Sequence, residues 1–153
     1  MKHYKDEKNN IFAYESDGSQ DAFIKEGLVP ISDEDLAAMI APTTEQLLSQ
    51  LTAARKEQEQ QGVTINGIRY AGDPGNRQTL QEAITYIEDA GLTEFPTWKD
   101  SDGVFHADHP LADVKDAVRA IGARRSQLIA AEGEYAAQIA AGTLIDLSEV
   151  TWP

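Results

Sequence analysis

Residues 111–139 read LADVKDAVRAIGARRSQLIAAEGEYAAQI. Apolar side chains recur in this stretch at alternating spacings of three and four: Leu111, Val114, Val118, Ile121, Leu128, Tyr135 and Ile139. Arg125 and Glu132 occupy the two remaining positions of the stripe, one heptad apart. The spacing puts all nine side chains on one face of a long amphipathic helix. The two charges admit two readings. One is a register-setting ion pair with a partner helix. The other is a slight rotation that brings Ile129 inward and sends both charges to solvent, and the drift of a straight helix away from a 3.5-residue repeat favours it. The helix is expected to begin near Pro110, which suits a first turn, and to end at Gly142. Gly122 and Gly133 each lower helix stability by about 1 kcal/mol relative to Ala. They are expected to mark a bend or the close approach of another helix.

The elements that precede this helix are set by turn and cap chemistry. Phe95–Lys99 and Val104–His106 flank Asp100-Ser101-Asp102-Gly103 and predict a hairpin, with Pro96 marking its first strand as an edge. Residues 76–90 carry Leu80, Ala83, Ile84 and Ile87 on one helical face, closed by Gly91. Asn66-Gly67 between Val63-Thr64-Ile65 and Ile68-Arg69-Tyr70 predicts a two-residue hairpin with Ile65 opposite Ile68. Thr43 or Thr44 caps a helix to about Gln61. Its apolar side is Leu47, Leu48, Leu51 and Ala54, but its end, Lys56-Glu57-Gln58-Glu59-Gln60-Gln61, is wholly polar, as in a solvated stalk or linker. Ser32 with Asp33, Glu34 and Asp35 starts a shorter helix that stops before Pro42. His3–Lys5 and Ile11–Glu15 predict an opening hairpin around Lys8-Asn9-Asn10. A short element runs from Gln20 to Lys25, and Pro30 separates it from the helix capped by Ser32. The expected fold is α+β and helix-rich: small β-hairpins plus one long C-terminal amphipathic helix. Residues 1–42 form a hairpin-plus-helix unit, 43–61 a helical connector, and 62–153 a hairpin–helix–hairpin–long-helix domain.

The 153 residues are 41% hydrophobic, enough to bury a core. A formal net charge of -13 argues against nucleic acid or an anionic membrane as partner, because both need clustered Lys and Arg. The chain has no cysteine, which removes disulfides, thiolate zinc sites and cysteine nucleophiles and fits a reducing compartment. Met1–Glu7 lacks the apolar run of a secretory signal, and no stretch approaches the roughly 20 apolar residues of a membrane helix. A soluble cytosolic protein is the expectation.

Three constellations invite a chemical reading. His106, Asp108 and His109 are metal-ligand residue types within four positions. They match no ligand spacing and adjoin Pro110, so a polar loop leading into the long helix is expected instead. Asp100–Gly103 resembles the start of a calcium loop but lacks the third acid and the distal Glu. Gly72–Arg77 precedes a helix without the ending of a phosphate loop. No serine sits in a nucleophile elbow. Catalytic, cofactor and metal residues are therefore all expected to be none, and the protein is not expected to be an enzyme. The candidates are partner-binding residues: Trp98 and Phe105 on the second hairpin, Leu128, Tyr135 and Ile139 on the C-terminal half of the long helix, and Trp152 in the apolar tail. Tryptophan is enriched at binding hot spots but is also a common core residue. Self-pairing of the long helix would give a homo-oligomer, and the helix from Thr44 to Gln61 offers an intramolecular alternative.

The opening, with Tyr4, Ile11-Phe12-Ala13-Tyr14, Phe23–Leu28 and Pro30–Asp35, resembles the N-termini of tailed-bacteriophage and prophage tail-fibre assembly proteins. The later part is similar to an uncharacterised domain at the C-terminal end of such proteins. The residues that carry this are Arg55 with Glu57 or Glu59, Gly62-Val63, Asn66–Tyr70, Asp73 and the helix after it, Thr97-Trp98-Lys99 with Asp102–Phe105, and the long helix with Glu132 and Ile139. Where that domain usually has an apolar or aromatic residue midway along the helix, this chain has Gly122-Ala123-Arg124-Arg125-Ser126. The resemblance implies a tail-fibre chaperone that binds the fibre polypeptide, expected at its C-terminal part, and assists its trimerisation. It places the protein in the cytoplasm of the bacterial host. The alternatives are a structural component retained in the virion tail and, remotely, a small metal-dependent enzyme using His106, Asp108 and His109.

Overall fold

Polar caps decide where the helices begin. In the computed structural model, which describes residues 1–153, Ser32 Oγ accepts the Asp35 amide at the head of α1 (Asp33–Ile40). Thr43 and Gln46 form a reciprocal capping box at the head of α2 (Thr44–Gln61). Asp73 opens α3 (Pro74–Asp89) by accepting the Gly75 and Asn76 amides. Each cap satisfies amides that the first helical turn leaves without partners. The long helix α4 (Leu111–Ala140) starts directly after Pro110 and ends before Gly142, whose φ is 72°. Seven short strands complete an α+β, helix-rich fold: β1 (Lys2–Lys5), β2 (Ile11–Tyr14), β3 (Val29–Ile31), β4 (Val63–Ile65), β5 (Ile68–Tyr70), β6 (Glu94–Lys99) and β7 (Phe105–Pro110).

The chain divides into two compact units, Met1–Pro42 and Thr43–Pro153. In the first, β1 lies between β2 and β3, all antiparallel. The strand β3 departs from the expectation that Pro30 is a break. Pro30 lies opposite Tyr4 on an edge strand, where its missing N–H removes no interior ladder bond. The element expected from Gln20 to Lys25 is a single 3₁₀ turn, Asp21–Phe23. No residue of this unit is buried, and Ile11, Phe23, Val29 and Ile40 are exposed.

The second unit has two apolar clusters. One joins Tyr70, Leu80, Ile84, Ile87 and Phe95 to Leu111, Val114, Ala117 and Ile121 of α4. The other joins Leu47 and Leu51 of α2 to Ile139 and Leu144, with Leu48, Tyr135, Leu147, Val150 and Trp152 packed on it. Residues 43–61 are thus not a connector. They belong to the second unit as a helix packed on α4.

The polar end of α2 is solvated on one side only: Lys56, Glu57, Gln60 and Gln61 are exposed, while Arg55 and Glu59 meet the charged positions of α4. Arg55 pairs with Glu59 one turn along its own helix, and its Nε lies 2.6 Å from Glu132 Oε2. Thr52 Oγ1 donates to Glu132 Oε1 at 2.7 Å. Glu59, only 8% exposed, also has Arg125 Nε at 3.3 Å and Arg77 Nη1 at 3.5 Å. The favoured rotation of α4 does not occur, and Ile129 remains exposed. The interruptions instead pair with a helix of the same chain, which fixes the register between α2 and α4.

A Cβ added at Gly122 or Gly133 would meet nothing within 4 Å, so no close approach requires these glycines. The close approach is at Gly62 and Gly72. A Cβ on Gly62, whose φ is +70°, would lie 1.8 Å from Tyr70 O, and one on Gly72 would lie 2.3 Å from Glu59 O. Backbone contact thereby holds the end of α2 against the β5–α3 turn. In the β4–β5 hairpin, Ile65 pairs with Ile68 across Asn66 and Gly67, both at positive φ. The second hairpin is longer than its sequence suggests: β6 and β7 stay in register from Lys99↔Phe105 to Glu94↔Pro110. His106–His109 is therefore strand and not a loop. Asp108, at φ 50°, takes a left-handed kink opposite Pro96, which has no amide to pair.

Candidate functional site

The kink at Asp108 breaks strand alternation and turns His109 into the apolar cluster, where it is 2% exposed. Trp98 stacks on it with centroids 5.4 Å apart and planes 24° apart. Phe95 lies 4.9 Å from Trp98, and Tyr70 6.1 Å. Tyr70 OH and His109 Nε2 share a 2.6 Å hydrogen bond. Burial pushes the Tyr70 phenol up to about 12, with Asp113 and Asp100 adding to the effect. Burial also lowers the His109 pKa, against the opposing pull of Asp113 and with the help of His106. The pair is neutral at neutral pH and serves the core.

The rest of the hairpin loop is a self-contained hydrogen-bond device. His106 Nε2 bonds Asp100 Oδ2 at 2.8 Å, while Asp100 Oδ1 accepts the Asp102 and Val104 amides. The His106 bond first, and these amides with it, hold the Asp100 carboxyl below its ordinary pKa. Ser101 Oγ accepts the Ala71 amide at 2.7 Å, and Arg69 donates to Asp102 and to Ser101 O, which ties the loop to β5. Asp100 and Asp102 are thus occupied in holding the hairpin. His106 turns to Asp100 and His109 to Tyr70, so these two and Asp108 do not converge. No group of three or more His, Asp or Glu side chains is placed to hold a metal ion.

The six candidate contact residues divide sharply. Leu128 is 0% exposed and Ile139 is buried beside Leu47 and Leu51, so neither belongs to a free surface. Their stripe is covered by α2 of the same chain. Tyr135 and Trp152 meet edge to face at 6.1 Å, and Tyr135 OH donates to Thr151 O while accepting the Thr151 amide. They fasten the tail to α4. Trp98 is half-buried in the aromatic group. Phe105 alone is freely presented, 67% exposed beside Val104 at 54%. Lys99 Nζ lies 5.4 Å from the Phe105 ring centroid.

The sequence singles out Arg125 and Glu132 as a candidate register-setting pair but does not assign Arg55 and Glu59 as their partners. The signal is present: Arg55 and Glu59 are one turn apart in α2, and Arg125 and Glu132 are the two interruptions in α4. What the sequence does not supply is the pairing of those two helices. No helix of the molecule is long and apolar enough to cross a membrane.

No curated protein and no solved structure matches the chain significantly. One family model matches residues 42–151, a span that coincides closely with the second unit. On that match, which covers well over half of its length, the chain belongs to the family described as domain of unknown function (DUF4376).

Proposed function

We propose that this protein is an assembly chaperone for a phage tail fibre, acting by binding the fibre polypeptide and not by catalysis. The resemblance of its opening residues and of its Trp98–Phe105 hairpin to tail-fibre assembly proteins motivates the reading. The observation that carries it is the composition of the first unit: secondary structure over 42 residues without one buried side chain. A unit of that size is marginal without a staple or a partner. Its exposed Ile11, Phe23, Val29 and Ile40 are the side chains that such a partner would cover. The two-stranded β6–β7 sheet adds open strand edges beside Val104 and Phe105, a further place for an extended segment to dock.

Co-expression with a candidate tail-fibre polypeptide tests this. Soluble, trimeric fibre should form with the full chain and fail with a chain lacking residues 1–42. Equal yields of trimer in the complete absence of the protein would refute the proposal. Stoichiometric copies in purified particles would make it a retained virion component instead.

A further inference from the structure

The end of α2, the start of α3 and the middle of α4 enclose a cleft of about 220 Å³ lined by Arg55, Lys56, Glu59, Asp73, Arg77 and Arg125. Four cations gathered in one cleft stand out in a chain with 13 Lys and Arg against 26 Asp and Glu. The carboxylates there are fully engaged. Glu59 has three guanidinium neighbours, Glu132 behind it has Arg55 and Thr52, and Asp73 caps α3.

The guanidiniums are not. Arg125 is 45% exposed along its side chain and makes no hydrogen bond to the protein, only the 3.3 Å ion contact through Nε. Arg77 commits Nη1 to Gly72 O at 2.6 Å and to the Glu59 contact, which leaves Nη2 without a protein partner. Both guanidiniums line the same small space, and a planar N–H edge matches the shape of a carboxylate. Charge narrows the choice further. Four cations against Glu59 and Asp73 leave two units of positive charge in the lining; Glu132, paired with Arg55 behind it, offsets one, and a monoanion neutralises the remainder where a phosphate dianion overshoots it. The walls are held in place, since Gly62 and Gly72 bring α2 into backbone contact with the turn before α3.

We propose that this cleft binds a singly charged carboxylate between Arg77 and Arg125. The inference does not depend on the tail-fibre reading. The test is an NMR titration of the full chain with acetate, and separately with inorganic phosphate, at constant ionic strength, following the arginine Nε–Hε resonances. Acetate should give saturable shifts centred on Arg77 and Arg125. Arg125→Gln should weaken binding by about tenfold or more, the scale of one charge-assisted hydrogen bond. Arg119→Gln, which alters an arginine paired with Asp116 outside the cleft, should leave it unchanged. Shifts that never saturate, tighter binding of phosphate than acetate, or undiminished binding in Arg125→Gln would each overturn the proposal. Should Arg125→Gln lose its dispersed amide spectrum, Arg77→Lys decides. It keeps the charge but not the planar fork, so weaker acetate binding supports the site and equal binding refutes it.

Discussion

The N-terminal half of α4 and its C-terminal half are continuous in one helix but pack by different chemistry. The first buries Leu111, Val114, Ala117 and Ile121 against α3, the hairpins and the aromatic group around His109. The second meets α2 through Leu128 and Ile139, with Arg125 and Glu132 between the apolar contacts. Apolar contact is non-directional and tolerates small shifts. An ion pair shielded from water tolerates few, because each charge loses its hydration and recovers it only through well-placed partners. The apolar contacts of the first half therefore stabilise with little demand on register, and the charged positions of the second select which register of α2 on α4 is allowed.

The largest effect is expected where the two halves are joined. Gly62→Ala places a methyl group against Tyr70 O at a left-handed φ, and should lower stability in urea denaturation by more than about 4 kcal/mol. A loss below about 1 kcal/mol would mean that the backbone contact is not tight. Next, Glu132→Ala leaves Arg55 facing a shielded site with one carboxylate fewer, and should cost about 3 kcal/mol. Val114→Ala in the apolar half should lose about 2 kcal/mol through transfer and cavity terms. If Glu132→Ala proves the milder of the two, the charged half is not the more exacting one.

The pH response sharpens the contrast in a gentler way. His109 is held neutral, with its pKa below the ordinary 6.5, so the unfolded chain takes up the proton first as pH falls. Stability should therefore decline on acidification from about pH 6.5 towards the lower folded pKa, and His109→Gln should flatten that part of the curve. Tyr70 acts at the other end. Its stabilising contribution is complete below pH 10 and is lost as pH rises towards about 12. A midpoint-temperature profile from pH 5 to 11 reads both. The smallest effect should be a gain. Gly122→Ala and Gly133→Ala enter open space on α4, one nearer each half, and each should stabilise by about 0.5–1 kcal/mol. A loss at either would reveal a helix–helix approach that the fold does not contain.

Local chemistry makes most elements legible. Ser32, Thr43 and Asp73 announce helix starts, Asn66-Gly67 announces a hairpin, and the stripe from Leu111 to Ile139 announces the long helix. These signals are confined to a few consecutive residues, where hydrogen bonding and backbone sterics act alone. The strand β3 is hidden because Pro30 normally argues against a strand, and only its edge position beside β1 makes it admissible. The continuation of β7 through His106–His109 is hidden because alternation fails at Asp108, and that failure is what buries His109.

Residue type and spacing alone determined that α4 would be long, amphipathic and interrupted at Arg125 and Glu132. They also determined that the chain lacks a thiol and carries a large negative charge. Only the tertiary structure decided what the interruptions meet. Arg55 and Glu59 lie far in sequence from Glu132 and Arg125, and Arg77 stands on another helix altogether. No local periodicity encodes which solvated-looking side chains will be brought together. The same juxtaposition turned Leu128 and Ile139 from candidate contacts into core, and left Phe105 exposed. Burial is a property of what a surface packs against, so a single helix face cannot specify it.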